Sequence, residues 1–220
     1  MAGHVRMMFV PPTAQALLDA RKALAAADPA LAALEAVTPS FEWRVGLGGF
    51  PGLLKMVVQQ QVSLASAAAI WARVEAGLPE MTPDVVMGHD QAYLLSLGLS
   101  RPKARYAHAI AHAHLNGTCD FDALPRLPDE EAIAALTAIT GIGRWTAEVY
   151  LMFTQGRLDM FPGGDVALQE AMRWADRAEI RPTEKQAYAR AELWRPYRGV
   201  AAHLLWACYG AVKRREIAPF

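Results

Sequence analysis

Apolar residues recur every three or four positions along almost the whole chain, and stretches of strict polar–apolar alternation are scarce. That period is the helical one. It predicts helices over 12–26, 29–36, 50–60, 63–76, 83–86, 90–96, 101–115, 129–139, 144–154, 165–177, 183–191 and 196–213. Pro79, Pro83, Pro102, Pro125, Pro128, Pro162 and Pro182 fall at the ends or first turns of these segments, where a missing N–H does no harm. Asp129, Glu130 and Glu131 crowd one first turn, where negative charge suits the helix dipole. The Ala-rich stretches at 22–36 and 65–72 are good helix sequence. The pattern therefore predicts an all-α fold. Segments 116–128 and 155–164, the second ending in Pro162-Gly163-Gly164, read as the connections of that fold. They suggest one domain over 1–220 made of two helical lobes. Lobe one covers about 50–153 with a hairpin at 129–154, and lobe two covers 1–49 plus 154–220. A cleft between such lobes is a natural place for a ligand.

Composition narrows the function. Of the 220 residues, 53% are hydrophobic, enough for a sizeable core, yet no apolar run approaches the roughly 18 residues of a membrane span. Near the start, Arg6 precedes a short patch, Met7-Met8-Phe9-Val10, that Pro11-Pro12 ends at once. It is too short for a signal peptide. Cys119 and Cys208 lie far apart and cannot supply a four-thiolate cluster. Their scarcity points to a reducing cytoplasm. The 22 basic and 22 acidic residues give zero net charge, so any nucleic-acid site must be local or use backbone donors. Arg101, Lys103 and Arg105 form one small basic cluster and Lys213-Arg214-Arg215 another. Each meets phosphate or is simply a solvated face. His108 and His112 have the i, i+4 spacing of metal ligands, but no third ligand accompanies them and no metal is expected.

Chemistry concentrates at two glycine-marked places. Thr140-Gly141-Ile142-Gly143 breaks two helices, and its glycines permit positive φ and close backbone approach. Ile142 can plug the gap, and the N–H groups around Gly143 then form an anion site at a helix start. The same residues also describe a tight αα-turn with no ligand. The second place is Asp165, which follows Phe161-Pro162-Gly163-Gly164 and precedes Val-Ala-Leu. It reads as a helix N-cap and, equally, as a carboxylate placed to act on a ligand.

Leu136-x-x-x-x-Gly141-Ile142-Gly143-Arg144-Trp145-Thr146-Ala147 followed by Asp165 resembles the helix-hairpin-helix DNA glycosylase superfamily, nearest to its bacterial 3-methyladenine DNA glycosylase II group. Four further stretches agree in order: Val57-Val58-Gln59-Gln60-Gln61-Val62-Ser63, Leu97-Gly98-Leu99 with Lys103-Ala104, Trp194-Arg195-Pro196-Tyr197-Arg198, and His203-Leu204-Leu205-Trp206. The resemblance spans about residues 50–212. It implies the two-lobed glycosylase fold without the extra N-terminal β domain that the group often carries.

The resemblance also assigns roles. It makes Asp165 the catalytic residue, which stabilises positive charge growing on the sugar of a flipped-out nucleotide. Trp206, Trp145 and Tyr197 become base-pocket candidates, since aromatic faces attract cationic alkylated rings. Gly141, Gly143, Arg144 and Thr146 become DNA-binding residues of the hairpin. Gln61, or its neighbour Gln60, becomes the wedge that fills the hole left by the flipped base. Trp145 stands where strand-cleaving relatives carry a lysine, so base release without strand cleavage is implied. Val149 stands where some members have a tyrosine, and Asp159 reads as a loop residue rather than an acid. The implied substrate is double-stranded DNA carrying alkylated purines of the 3-methyladenine and 7-methylguanine type. The implied enzyme acts as a monomer in the cytoplasm, at the bacterial nucleoid, without a cofactor. Relatives hold a structural monovalent cation on hairpin carbonyls, an option open to this hairpin too. A non-catalytic DNA-binding module, and a glycosylase for oxidised or mismatched bases, are the competing readings.

Overall fold

The computed structural model describes residues 11–218. The patch at 7–10 lies outside them. Every regular element among the described residues is helical, and none is a strand. In chain order the α-helices are α1 (Ala14–Ala27), α2 (Pro29–Val37), α3 (Gly49–Gln59), α4 (Leu64–Gly77), α5 (Pro83–Met87), α6 (Gln91–Ser96), α7 (Arg101–Leu115), α8 (Asp129–Thr137), α9 (Arg144–Gln155), α10 (Val166–Ala175), α11 (Glu184–Ala191) and α12 (Arg198–Lys213). Single 3-10 turns occupy Leu124–Arg126 and Glu192–Trp194. The all-α expectation is met, and each predicted helix is present within a few residues of its expected bounds.

Side-chain caps set most of the boundaries. Thr13, Asp28, Ser63, Thr82, Asp90, Ser100, Asp165 and Thr183 each accept an N–H from the first turn of the helix that follows. Such caps satisfy donors that the helix itself cannot. Thr183 and Gln186 complete a reciprocal capping box. The helix expected from 165 therefore begins at Val166, with Asp165 outside it as the cap. The helix expected from 196 begins only at Arg198, because the chain first makes the Glu192–Trp194 turn.

The described chain divides into two compact units, one of Gly46–Tyr150 and one of 11–45 with 151–218. The division falls inside α9. In the first unit, α3 packs on α4 and α7, and α5 and α6 pack on α7. Leu53, Leu54, Val57, Trp71, Ile110, Leu124, Leu136 and Tyr150 fill its core. Segment 116–128 is an internal part of this unit. Asn116 and Asp120 make local side-chain turns through the N–H groups of Thr118 and Asp122. Cys119, Phe121 and Leu124 then point inward and are buried. Phe121 meets Phe50 and Tyr150 edge-on.

In the second unit α12 packs on α10, α1 and α2. Leu24, Leu31, Leu34, Leu168, Met172, Leu204, Leu205 and Cys208 supply its core. Asp28 is 3% exposed and is matched on every side: Trp194 Nε1 donates to it at 2.7 Å, Arg190 Nη2 pairs with it at 2.6 Å, and Ala30 N–H donates at 3.0 Å. Burial pushes its carboxyl upward, but these donors outweigh burial and hold it below its ordinary value. Both cysteines are free and buried, which pushes each thiol up to about 11.

Candidate functional site

The hairpin of the first unit is built by the Leu136–Ala147 sequence. Ile139 N–H donates to Leu136 O and Ile142 N–H to Ile139 O, turning the chain after α8, and Ala147 N–H donates to Gly143 O to start α9. Gly141 has φ 91°, and a Cβ there would meet the Tyr106 ring at 2.2 Å. Only glycine serves at that point. Ile142 is buried at 4% exposure, so it plugs the turn as the sequence suggests. Gly143 is exposed, and a Cβ on it would meet nothing within 4 Å. The open glycine stands at the N-terminal, positive end of α9, a corner suited to an anion.

The side chains of that corner have partners within the unit. Thr146 is 5% exposed, and its Oγ1 accepts from Gln60 Nε2 at 3.0 Å. Arg144 donates both terminal nitrogens to Glu130, at 3.0 and 2.7 Å, and its Nε to Glu148 at 3.0 Å. These two groups thus brace the hairpin in the DNA-free chain. The reason is local: Glu130 and Glu148 flank the arginine from α8 and α9. Trp145 is half-buried in the first turn of α9, and Val149 is buried.

The Gln-rich break lies in the same unit. α3 ends at Gln59, and Gln60 follows with extended backbone. Gln61 is exposed with φ 57°, a left-handed conformation that costs about 1 kcal/mol or more for a residue bearing a Cβ. Ser63 then caps α4. Lys103 holds this turn from α7: its Nζ donates to Val58 O at 2.8 Å and to Gln60 O at 2.7 Å. Burial lowers its pKa. Lys103 is therefore not part of a solvated basic face. Gln60 is an anchor, tied to Thr146, and Gln61 is the residue the turn presents outward.

In the second unit Asp165 is half-buried. Its Oδ1 accepts from Ala167 N–H at 2.8 Å and Leu168 N–H at 3.0 Å, capping α10. Its own N–H donates to Pro162 O at 2.8 Å. Buried Gln169 steadies the approach by donating Nε2 to Gly163 O at 2.7 Å. Gly163 is needed there for closeness, since a Cβ would meet the Tyr188 ring at 3.0 Å. The carboxylate thus stands on a rigid loop at the positive end of a helix, which stabilises its charge.

Trp206, half-buried on α12, belongs to an aromatic cluster in this unit. Its ring centroid lies 5.7 Å from Phe153 and 5.8 Å from His203, and His203 stacks on Trp43 at 4.0 Å. His203 Nδ1 bonds Gly199 O at 2.7 Å, and its Nε2 accepts from Arg44 N–H at 3.2 Å. Burial, with the nearby Arg44 charge, drives its pKa down to about 4. The ring is neutral at pH 7. Trp43 Nε1 is buried with no hydrogen-bond partner among the described residues. Trp43, Arg44 and Phe153 were not singled out from the sequence, and His203 entered only within the His203-Leu204-Leu205-Trp206 stretch. Trp43 and Arg44 lie outside every helix, where periodicity carries no signal.

Tyr197 precedes α12 by one residue and stands nine positions before Trp206, about 13 Å along a helix axis. Asp159 is a loop residue as expected. It accepts from Arg195 Nη1 at 2.5 Å and Arg198 Nε at 2.9 Å. His108 Nε2 bonds His89 O at 2.9 Å, and His112 Nδ1 bonds Asn116. No group able to hold a metal ion occurs among the described residues, and no described helix is long and apolar enough to cross a membrane.

Comparison with known proteins converges on one family. The model of the HhH-GPD superfamily base excision DNA repair protein matches residues 54–196. The chain is 32% identical over 160 residues to DNA-3-methyladenine glycosylase 1 of Schizosaccharomyces pombe, covering 70% of this chain and 69% of that one. It is 29% identical over 162 residues to YfjP of Bacillus subtilis, but spans only 56% of that relative's length. Among solved structures, a DNA-3-methyladenine glycosidase of Bacillus halodurans superposes with TM-score 0.79 at 30% identity, covering 89% of this chain and 91% of that one. The S. pombe 3-methyladenine DNA glycosylase in complex with abasic DNA gives 0.77 at 26% identity, covering 92% and 98%.

Proposed function

The chain belongs to the HhH-GPD superfamily of base excision DNA repair proteins, and from that premise we propose that it hydrolyses the N-glycosidic bond of alkylated purines in duplex DNA. The substrates are bases of the 3-methyladenine and 7-methylguanine type. The enzyme flips the damaged nucleotide, releases its base and leaves an intact abasic site. The observation that carries this reading is Asp165, a half-buried carboxylate fixed by two backbone N–H groups on a braced loop. Binding alone does not call for such a group.

The reaction follows from that charge. As the bond from the anomeric carbon to the base nitrogen lengthens, the sugar becomes oxocarbenium-like and the electron pair leaves with the base. An alkylated purine is already cationic, so it departs neutral and needs little help from an acid. Asp165 stabilises the sugar cation and orients water, whose oxygen adds to the anomeric carbon while its proton passes to the carboxylate or solvent. Trp206 offers a face for the cationic ring, and Trp145 is retained as a base contact. Gln61 fills the vacated stack. The backbone donors around Gly141, Gly143, Arg144 and Thr146 hold a phosphate.

No residue of the hairpin supplies an amine where a Schiff base would form, so base release without strand cleavage is expected. The turn carbonyls keep a second lone pair beside the bonds they accept. A monovalent cation there would brace the turn without entering the bond cleavage. The protein acts as a monomer on DNA in the cytoplasm. The test is incubation with duplexes each bearing one modified base, with the free base identified by mass. Release of methylated purines with uncut strands is expected. Tight binding without release of any base would make the protein a binding module instead.

A further inference from the structure

The Trp206 face that the proposed function assigns to the incoming base already has an occupant. The Arg44 guanidinium carbon lies 5.3 Å from the Trp206 ring centroid and 5.9 Å from that of Phe153, within the range of cation–π attraction. The position is built. Arg44 N–H donates to His203 Nε2, and His203 is fixed in turn by Gly199 O and by stacking on Trp43. The chain at Arg44 is thus pinned to the α12 face that carries Trp206. The guanidinium also senses the Asp165 carboxylate, which raises its pKa, although burial is the larger influence and lowers it.

A cationic alkylated purine needs the same aromatic face and the same carboxylate. Two cations cannot share them without repulsion, whereas a neutral ring can lie flat between an indole and a guanidinium. We propose that Arg44 is a specificity-determining residue, a built-in cation that a charged base must displace from Trp206 and that a neutral base need not. It sets a charge-dependent threshold on entry to the aromatic cluster. This inference rests on the reading that Trp206 receives the base.

The experiment compares the full-length protein with Arg44→Gln and Arg44→Lys. Binding of 7-methylguanosine, which is cationic, and of neutral guanosine is followed at the Trp206 indole N–H by NMR. Base release from matched duplexes is measured in parallel. Arg44 lies outside every helix, so both variants should fold, and melting curves check this. Arg44→Gln is expected to tighten 7-methylguanosine about threefold to tenfold, the value of one cation–π contact. Guanosine should change by less than about twofold, and Arg44→Lys should keep most of the discrimination. Equal shifts for both nucleosides, or a uniform loss of affinity for damaged and undamaged duplex, would overturn the proposal, the latter marking Arg44 as a phosphate contact. The two readings fail separately. A charge-selective shift in a protein that releases no base leaves the threshold standing and removes the glycosylase. Base release without that shift does the reverse.

Discussion

Replacing Lys103 with methionine keeps the aliphatic stem and deletes the two hydrogen bonds to Val58 O and Gln60 O. Hydrogen bonds to a charged donor are worth about 1.5–3 kcal/mol each. Lys103 is only half-buried, so water takes over part of its work, and the expected loss is about 2–3 kcal/mol. In a chain of this size that lowers Tm by roughly 4–12 °C, measurable by thermal denaturation. A second effect is specific to the turn. Gln61 is held in the left-handed region, and without Lys103 the Gln60–Gln61 backbone must be ordered when DNA binds. Ordering costs about 1–2 kcal/mol per residue, about 2–4 kcal/mol for the two, so Kd for an abasic duplex should rise by about thirtyfold to a thousandfold. Combining Lys103→Met with Gln61→Ala should give less than the sum of the single losses, because the two act on one turn. A variant with wild-type Tm and affinity, or strictly additive losses, would refute the claim that Lys103 pre-shapes the wedge.

Stability should depend on pH through His203, whose folded pKa of about 4 lies below the ordinary 6.5. Between those values the unfolded chain binds the proton and the folded one does not. The contribution is therefore complete above about pH 6.5 and is lost as pH falls toward 4, by about 3 kcal/mol in all. Denaturant unfolding across that window should show a shallower slope for His203→Asn. Gly141→Ala sets a side chain at positive φ against the Tyr106 ring and should destabilise by about 2 kcal/mol or more. Its affinity for undamaged duplex should fall in parallel, as gel-shift titration would show.

The helices were legible because burial on one face imposes a period, and their starts because Ser, Thr and Asp caps announce themselves. Asp165 was legible for the same reason: one side chain serves as cap and as candidate catalyst. Side-chain direction at the hairpin was not. Arg144 and Thr146 have the right types and spacing for DNA contact, yet Glu130, Glu148 and Gln60 engage them. Those partners lie 14, 4 and 86 positions away, and only the four-residue step has a helical signature. Lys103 looked like one of three surface cations until the fold brought α3 beside α7. Trp43 and Arg44 sit in irregular chain, where neither periodicity nor capping applies, and their link to His203 spans 159 positions. Segment 116–128 reads as a connection through its polar turn residues, which fold locally so that Cys119, Phe121 and Leu124 can enter the core.

Single-turnover base release by Asp165→Asn tests the proposed catalysis most directly. Asparagine keeps an Oδ1 to accept from Ala167 and Leu168, so Tm should stay within about 2 °C of wild type. It removes one negative charge beside the developing sugar cation, worth about 4 kcal/mol at 4 Å in partly screened surroundings. The rate should then fall about a thousandfold, with affinity for the abasic duplex little changed. A folded Asp165→Asn protein that releases methylated purine within about tenfold of the wild-type rate would contradict the account.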